Sequence, residues 1–191
     1  MANVPKNLTA QQIQEEYLLV KAAQKNPRRF SVLYERYYRQ MFLFIYKRVD
    51  EEENAADVTS QVFLKAMLSL EKYQFRDLPF SAWLYRIAIN EVNQYFRETR
   101  NQRTVSMESR DLPLLMEEVE EPSDDAAIQR MLSVMQALSP EEVEMIELRY
   151  FEKMPFREVA DIYGITENNA KVRMYRILEK MKKLMTKHVQ L

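Results

Sequence analysis

The sequence predicts an all-α protein of two small helical domains joined by an acidic linker. Helix-breaking residues are scarce, with 1 Gly and 7 Pro among 191 residues. Apolar residues recur at intervals of three and four along most of the chain, the period of amphipathic helices, and no stretch alternates as a strand does. The hydrophobic content of 47% is sufficient for packed cores. These observations together exclude a sheet-based fold.

The first domain is predicted over residues 9–100. Thr9 is typical of an N-cap and begins a helix that ends near Asn26, just before a proline. A second helix is predicted over 29–49. A third begins after the acidic cluster at 50–53, whose negative charges suit a helix N-terminus.

The fourth helix is predicted over 80–103, after a loop that Pro79 closes, and Ser81 is expected to help begin it. One of its faces repeats Arg and Asn at spacings of four and three. Arg offers a charged fork, and Asn offers both a donor and an acceptor, which suits nucleic acid edges and backbones. This polar face consists of Arg86, Asn90, Asn93, Arg97 and Arg100.

The loop ahead of this helix, YQFRDL, contains two aromatic residues, Tyr73 and Phe75. Such rings can stack on a base pulled out of a DNA strand. Considered alone, the two rings are more typical of core residues, and the polar face of the fourth helix is more typical of a solvent-exposed surface. The interpretation as a DNA site therefore depends on the rest of the chain.

Residues 101–126 are predicted to form a flexible acidic linker. They hold two cations and eight acids, a net charge of 2 − 8 = −6, together with two prolines. Because the formal net charge of the whole chain is −1, the flanking parts together carry −1 + 6 = +5. The near-neutral total therefore hides two basic domains on either side of an acidic segment.

The second domain is predicted over 127–187 and contains a helix-turn-helix. A short helix is followed by a turn at Gly164, the single glycine of the chain, and by a helix that Thr166 caps. One face of this last helix is apolar. The opposite face is cationic and consists of Asn169, Arg173, Arg176, Lys180, Lys183 and Lys187.

A solvated charged face is the alternative interpretation of the last helix, and the stripe alone does not decide between the two. Two details favour DNA. The face carries nearly one sign of charge, which costs repulsion unless phosphates neutralise it. Val172 also lies on the outer side, where it is suited to contact a thymine methyl group.

Composition excludes several function classes. One glycine is too few for a phosphate loop or a dinucleotide fingerprint. The chain has no Cys and one His, His188, so zinc fingers, thiol catalysis and triads are excluded, and we expect neither metal nor cofactor. No segment resembles a secretory signal or a membrane span, so we expect a soluble, cytoplasmic protein.

Four segments together resemble the extracytoplasmic-function (ECF, group IV) sigma factors, the promoter-specificity subunits of bacterial RNA polymerase. RRFSVLYERYYRQMFLFIYKRV is similar to the start of the family's region 2, and DVTSQVFLKAM to its polymerase-clamp helix. FRDLPFSAWLYRIAIN is similar to the loop and helix that melt and read the minus-ten element. LSPEEVEMIELRYFEKMPFREVADIYGITENNAKVRMYRILEKMKKLM is similar to region 4. The resemblance covers residues 10–187.

The resemblance implies a role for each candidate residue. Region 4 would read the minus-thirty-five duplex through Asn169, Lys171, Val172, Arg173, Arg176 and Lys180. Region 2 would bind the minus-ten strand through Phe75, Arg76, Arg86, Asn90, Asn93 and Arg97. Polymerase would be bound through Asp57, Gln61 and Phe63. Trp83 is expected to pack in the domain core.

The resemblance also implies the partners: bacterial core RNA polymerase, promoter DNA and an anti-sigma factor, which in many relatives is membrane-bound. The acidic linker would follow the RNA exit path of the polymerase, where negative charge takes the place of RNA.

The chain departs from the family pattern at several positions. Ser60 and Gln61 stand where relatives commonly have Gln and an acid. Asn169, Ala170 and Val172 stand where relatives often carry Thr, Val and Ser, so the minus-thirty-five sequence that relatives read does not transfer to this chain. Lys153 replaces a frequent Gly.

Two rival functions stay open at this point. A stand-alone DNA-binding regulator would use only the helix-turn-helix, with the first domain serving for dimerisation or sensing. An enzyme would need a pair of carboxylates, and no spacing in the sequence singles one out.

Overall fold

The computed structural model describes residues 8–49, 51–99, 112–119 and 125–188. The chain divides into two compact units, residues 1–106 and 107–191. The described residues form helices and turns and no strand, so the predicted all-α class with two helical domains is confirmed.

The described residues of unit 1 form four α-helices, of which the second, third and fourth pack against one another. Their bounds are α1 Ala10–Lys25, α2 Phe30–Val49, α3 Glu52–Ser69 and α4 Phe80–Thr99. Each contributes one apolar face, and fully buried side chains include Leu33, Tyr37, Ile45, Val62, Leu84 and Tyr85. This core fixes α4, the helix that carries the Arg and Asn face.

The ends of α1 follow the sequence prediction. The Thr9 hydroxyl accepts the backbone N–H of Gln12, and the Gln12 side chain accepts the N–H of Thr9, which completes a capping box. Asn26 ends the helix, and its side chain accepts the N–H of Arg28 in the short turn Pro27–Arg29. The chain therefore reverses at a defined position between α1 and α2.

The start of α4 differs from the prediction that Ser81 helps to begin it. The backbone N–H of Phe80 donates to Glu16 Oε2 at 2.7 Å, so a carboxylate from α1 satisfies the first amide of α4. Ser81 lies inside the helix. The local sequence predicts that a nearby hydroxyl caps α4. In the structure the cap is a buried carboxylate from a residue 64 positions away in the sequence.

In the part of unit 2 that the structure describes, there are five α-helices and a π-helical turn, Glu147–Phe151, that directly follows the third of them. Their bounds are α5 Leu112–Glu118, α6 Asp125–Gln136, α7 Pro140–Ile146, α8 Phe156–Tyr163 and α9 Glu167–His188. The buried face of α9 consists of Ala170, Met174, Ile177, Met181 and Met185. It packs against α6, α7 and α8.

Part of the predicted linker is helical. Helix α5 lies within 101–126, and its Leu115 and Met116 are buried. Burial and the charge of Glu118, the last residue of α5, raise the pKa of Tyr150 to about 12. Most of the remaining linker lies outside the described residues.

The helix-turn-helix has the predicted geometry. Gly164 ends α8 at φ 64° and ψ 33°, a left-handed conformation that glycine adopts without steric cost. Thr166 caps α9, since its hydroxyl accepts the N–H of Asn169 at 3.2 Å. The turn therefore fixes the direction in which α9 leaves α8.

Candidate nucleic-acid interface

The outer face of α9 presents five of the six residues predicted for duplex reading as exposed side chains. They are Asn169, Lys171, Val172, Arg173 and Arg176. Val172 is 41% exposed, and Tyr175, which the sequence prediction did not include, is 65% exposed. The position of Tyr175 in the sequence, between Val172 and Arg176 on the outer side of the helix, could have indicated that it is exposed.

Two contacts hold the polar groups of this face in place. Arg173 Nε donates to Asn169 Oδ1 at 3.1 Å, and Lys171 Nζ lies 2.6 Å from Glu167 Oε1. The Arg173 contact leaves the rest of its guanidinium to act as a donor. The first two turns of α9 thus offer donors, an amide and a methyl-bearing side chain, the combination that reads base edges in the major groove.

Lys180, the sixth predicted residue, has a charged partner within unit 2. Its Nζ donates to Glu142 Oε2 at 2.6 Å, and the same carboxylate oxygen accepts the backbone N–H of Ser139 at 2.7 Å. The contact ties α9 to the N-terminus of α7. The DNA contact of Lys180 stays a prediction, whereas its contact with Glu142 is present in the structure.

In unit 1, α4 presents three of its predicted residues on one exposed face: Asn90, Asn93 and Arg97. The Arg97 guanidinium donates to the Gln94 side chain, which keeps it along the helix surface. Arg86 is half-buried, so its side chain is less accessible than the spacing suggested. Arg100 lies outside the described residues.

The loop between α3 and α4 is held by α1. The Phe75 ring stacks on Tyr17 with centroids 4.2 Å apart and an interplanar angle of 11°. The Gln24 amide donates to the carbonyls of Leu70 at 2.9 Å and Tyr73 at 3.2 Å. One face of the Phe75 ring is therefore covered by Tyr17, which the sequence did not indicate.

The other aromatic residues of this region pack together. Tyr73 lies edge-on to Phe80 and Trp83, with centroid distances of 5.4 and 5.2 Å. Trp83 also lies 5.3 Å from Phe80. Trp83 was expected in the domain core, but it is half-buried and packs against these two rings at the edge of the core. Arg76 follows Phe75 as an exposed residue of the loop.

Helix α3 separates the three residues predicted to bind polymerase. Asp57 and Gln61 are exposed on its outer side, whereas Phe63 is 3% exposed. The Phe63 ring lies 4.9 Å from Tyr34 and 6.4 Å from Phe30. The Phe63 ring therefore packs inside unit 1, and its predicted contact with polymerase stays a prediction.

The sequence prediction missed apolar residues on the outer side of α3. Leu64 is 46% exposed, Met67 is 40% exposed and Leu68 is 71% exposed. They continue the line of Asp57 and Gln61 at helical spacing. The sequence could have indicated them, because α3 contains more apolar residues than one buried helix face requires.

Comparison with known proteins supplies the family. The model of Sigma-70 region 2 matches residues 33–102, and the model of Sigma-70 region 4 matches residues 128–181. The chain is 28% identical over 161 residues to the ECF RNA polymerase sigma factor BldN of Streptomyces coelicolor. The chain belongs to the ECF sigma factors.

The extent of the similarity differs between relatives. The BldN alignment covers 82% of this sigma factor and 60% of BldN, so the chain spans less than two thirds of that protein. The ECF sigma factor SigM of Bacillus subtilis is 23% identical, with 82% of this chain and 95% of SigM covered.

A solved structure supports the fold of this sigma factor. The structure of CnrH in complex with the cytosolic domain of CnrY matches with a TM-score of 0.58 and 21% identity. The match covers 90% of this chain and 97% of that one. Among the described residues, no helix combines the length and apolarity that crossing a membrane requires.

Proposed function

We propose that this sigma factor binds bacterial core RNA polymerase and directs it to start transcription at specific promoters. In this proposal, 9–100 acts as region 2, 101–126 as the linker and 127–187 as region 4. The observation that supports it most is the order of the two family regions on one chain, each with an exposed polar helix face. The chain itself carries out no covalent chemistry.

Helix α9 reads the minus-thirty-five element as duplex. Its first two turns enter the major groove, where Asn169, Arg173 and Arg176 donate and accept hydrogen bonds at base edges and phosphates. Lys171 contributes charge, and Val172 an apolar contact. Lys180 contacts a phosphate when its ion pair with Glu142 opens.

Helix α4 and the preceding loop bind the opened minus-ten strand. Asn90 and Asn93 offer amide groups, and Arg76, Arg86 and Arg97 offer positive charge to the backbone. The outer face of Phe75 stacks on an unpaired base, with Tyr17 supporting the opposite face. A ring braced in this way loses little freedom on binding, which favours affinity.

The outer side of α3 binds the polymerase. Asp57 and Gln61 supply polar contacts at one end, and Leu64 and Leu68 supply apolar area further along. Apolar residues that are exposed in the free protein and buried on binding are typical of interface centres. An anti-sigma factor belongs to the same proposal, as does a cytoplasmic location, because the family works with the polymerase and is commonly controlled by such proteins.

The experiment that tests this function is transcription of fragmented genomic DNA from the source bacterium by core polymerase, with and without the protein. Sequencing of the 5′ ends is expected to show new starts that share two spaced upstream elements. If no complex with the polymerase forms and the isolated protein binds a specific duplex, the function is that of a stand-alone regulator instead.

A further inference from the structure

A basic groove lies at the C-terminal end of α1, outside the segment that matches region 2. Its volume is about 500 Å³, and its lining includes Lys21, Lys25 and Arg29 with Leu18 and Asn26. The three cations are exposed, and Leu18 is 64% exposed. None of the described residues that line the groove is acidic.

No described residue of unit 1 forms an ion pair with the cations of this groove. Among residues 8–49 and 51–99, the structure records no ion pair for Lys21, Lys25, Arg28 or Arg29. The sequence has no Asp or Glu anywhere in 17–34. Like charges at this spacing repel, so the arrangement costs free energy in the isolated protein.

Helix electrostatics explain only part of the cluster. Lys25 lies in the last turn of α1, where a cation interacts favourably with the helix dipole. Arg29 lies beyond the helix end, in the turn Pro27–Arg29, and directly precedes the N-terminus of α2, where a cation is unfavourable. A partner with repeated negative charge accounts for all three groove cations together.

The groove is continuous with the loop proposed to hold the opened strand. Lys21 Nζ lies 4.8 Å from the centre of the Tyr17 ring, and Tyr17 stacks on Phe75. Lys25 is one helical turn further on, a rise of about 6 Å. A line of aromatic and then cationic groups therefore runs from Phe75 along α1 to Arg29, which is the arrangement of single-strand binding surfaces.

We propose that this groove binds the phosphates of single-stranded DNA that leaves the loop over 73–79, with Lys21, Lys25 and Arg29 as the contacts. The inference rests on the proposed function, since promoter opening supplies the strand. It adds α1 to the DNA-binding surface of unit 1.

The test measures binding of the full chain to a labelled oligothymidylate of about 12 nucleotides by fluorescence anisotropy over a range of salt. The variant K25Q/R29Q leaves Lys21 and the Tyr17 stack intact. Its affinity at low salt is expected to fall on the order of tenfold, and its salt slope by about 1.4, since each lost single-strand contact removes about 0.7.

The control is R39Q/K153Q, which removes the same charge from exposed positions elsewhere. It is expected to retain the original slope. Equal losses in both variants would show a general charge effect and overturn the site, as would no loss in K25Q/R29Q or no strand binding by the unchanged chain.

A second measurement identifies the class of partner. A photoreactive phenylalanine analogue replaces Leu18 in the complex with core polymerase on promoter DNA, and the expected adduct is with a DNA strand. An adduct with polymerase alone would assign the groove to an acidic protein surface and overturn the proposal. Strand binding without new transcription starts would leave this site standing and reject the proposed function instead.

Discussion

The carboxylate of Glu16 accepts the backbone N–H of Phe80 at 2.7 Å, so a residue of α1 caps the first turn of α4. The Tyr37 hydroxyl donates to the other carboxylate oxygen, and Arg36 Nε lies 3.5 Å from it. Glu16 is 1% exposed. Burial, followed by the Glu16 charge, raises the pKa of Tyr37 well above its ordinary value, so the hydroxyl remains a donor.

We expect Glu16→Gln to destabilise unit 1 by about 1–3 kcal/mol, because hydrogen bonds to a charged acceptor are lost in a buried site. Urea unfolding followed by the fluorescence of Trp83, which lies in unit 1, is the measurement. Glu15→Gln, at an exposed neighbouring position, is the control and should unfold with the original midpoint. Equal midpoints for both variants would show that the buried carboxylate contributes nothing.

Phe63→Ala tests the packing role of Phe63. Removal of a buried ring is expected to cost about 3–5 kcal/mol of stability. Leu68→Ala, at 71% exposure, should leave stability within about 0.5 kcal/mol. It should weaken polymerase binding by about 1 kcal/mol or more if Leu68 is a central contact.

Thermal unfolding and binding to core polymerase are measured on both variants. A Leu68→Ala protein with unchanged affinity would remove the apolar part of α3 from the polymerase interface. A Phe63→Ala protein with normal stability would contradict the burial of the ring.

Arg176→Glu is expected to reduce promoter-dependent transcription by at least about tenfold, because it replaces a base or phosphate contact with a repulsive charge. Polymerase binding should remain, since unit 1 holds the proposed contact surface. The matched control is Lys153→Glu, which makes the same charge change at an exposed position off α9. Loss of transcription and polymerase binding together would remove the role assigned to α9.

The local features of the fold were predictable because they depend on neighbouring residues. Thr9, Thr166 and Gly164 each act within a few positions of themselves, so their sequence context was sufficient. The apolar and polar faces of α9 followed from its period in the same way.

Contacts between distant segments were not predictable. Nothing near Phe80 indicates that Glu16 caps it, and nothing near Phe75 indicates the Tyr17 stack. The burial of Phe63 could not be read from the sequence, because a motif gives the residue type and not its burial. The exposed side of α3 could be identified only from the structure, which shows which side of the helix is buried.

Lys153→Gly is expected to stabilise unit 2 by about 0.5–1 kcal/mol. Lys153 has φ 58°, a left-handed conformation that costs a side-chain-bearing residue about 1–2 kcal/mol, and glycine relieves part of it. Slower amide hydrogen exchange in α8 is the readout. Arg157→Gly, within helix α8, is the contrasting variant and should speed exchange.

The Glu142–Lys180 pair predicts an acid-sensitive contact between α7 and α9. Partial burial raises the pKa of the Glu142 carboxyl, but hydrogen bonds from Lys180 and the Ser139 amide outweigh it, so the pKa lies below its ordinary value of 4.5. A carboxyl with a lowered pKa stabilises the fold above that ordinary value. The contribution is lost as pH falls below 4.5 and through the folded pKa.

Glu142→Gln should therefore flatten this part of the stability profile, and the loss near neutral pH should stay below about 1 kcal/mol because the pair is partly exposed. Amide exchange of α7 and α9 residues, measured from neutral pH down to about pH 3, follows the effect. Glu141→Gln, at the exposed neighbouring position, should keep the original profile. If Glu142→Gln keeps the same acid dependence of stability as the original chain, another carboxyl controls that dependence. DNA would then be the only functional partner assigned to Lys180.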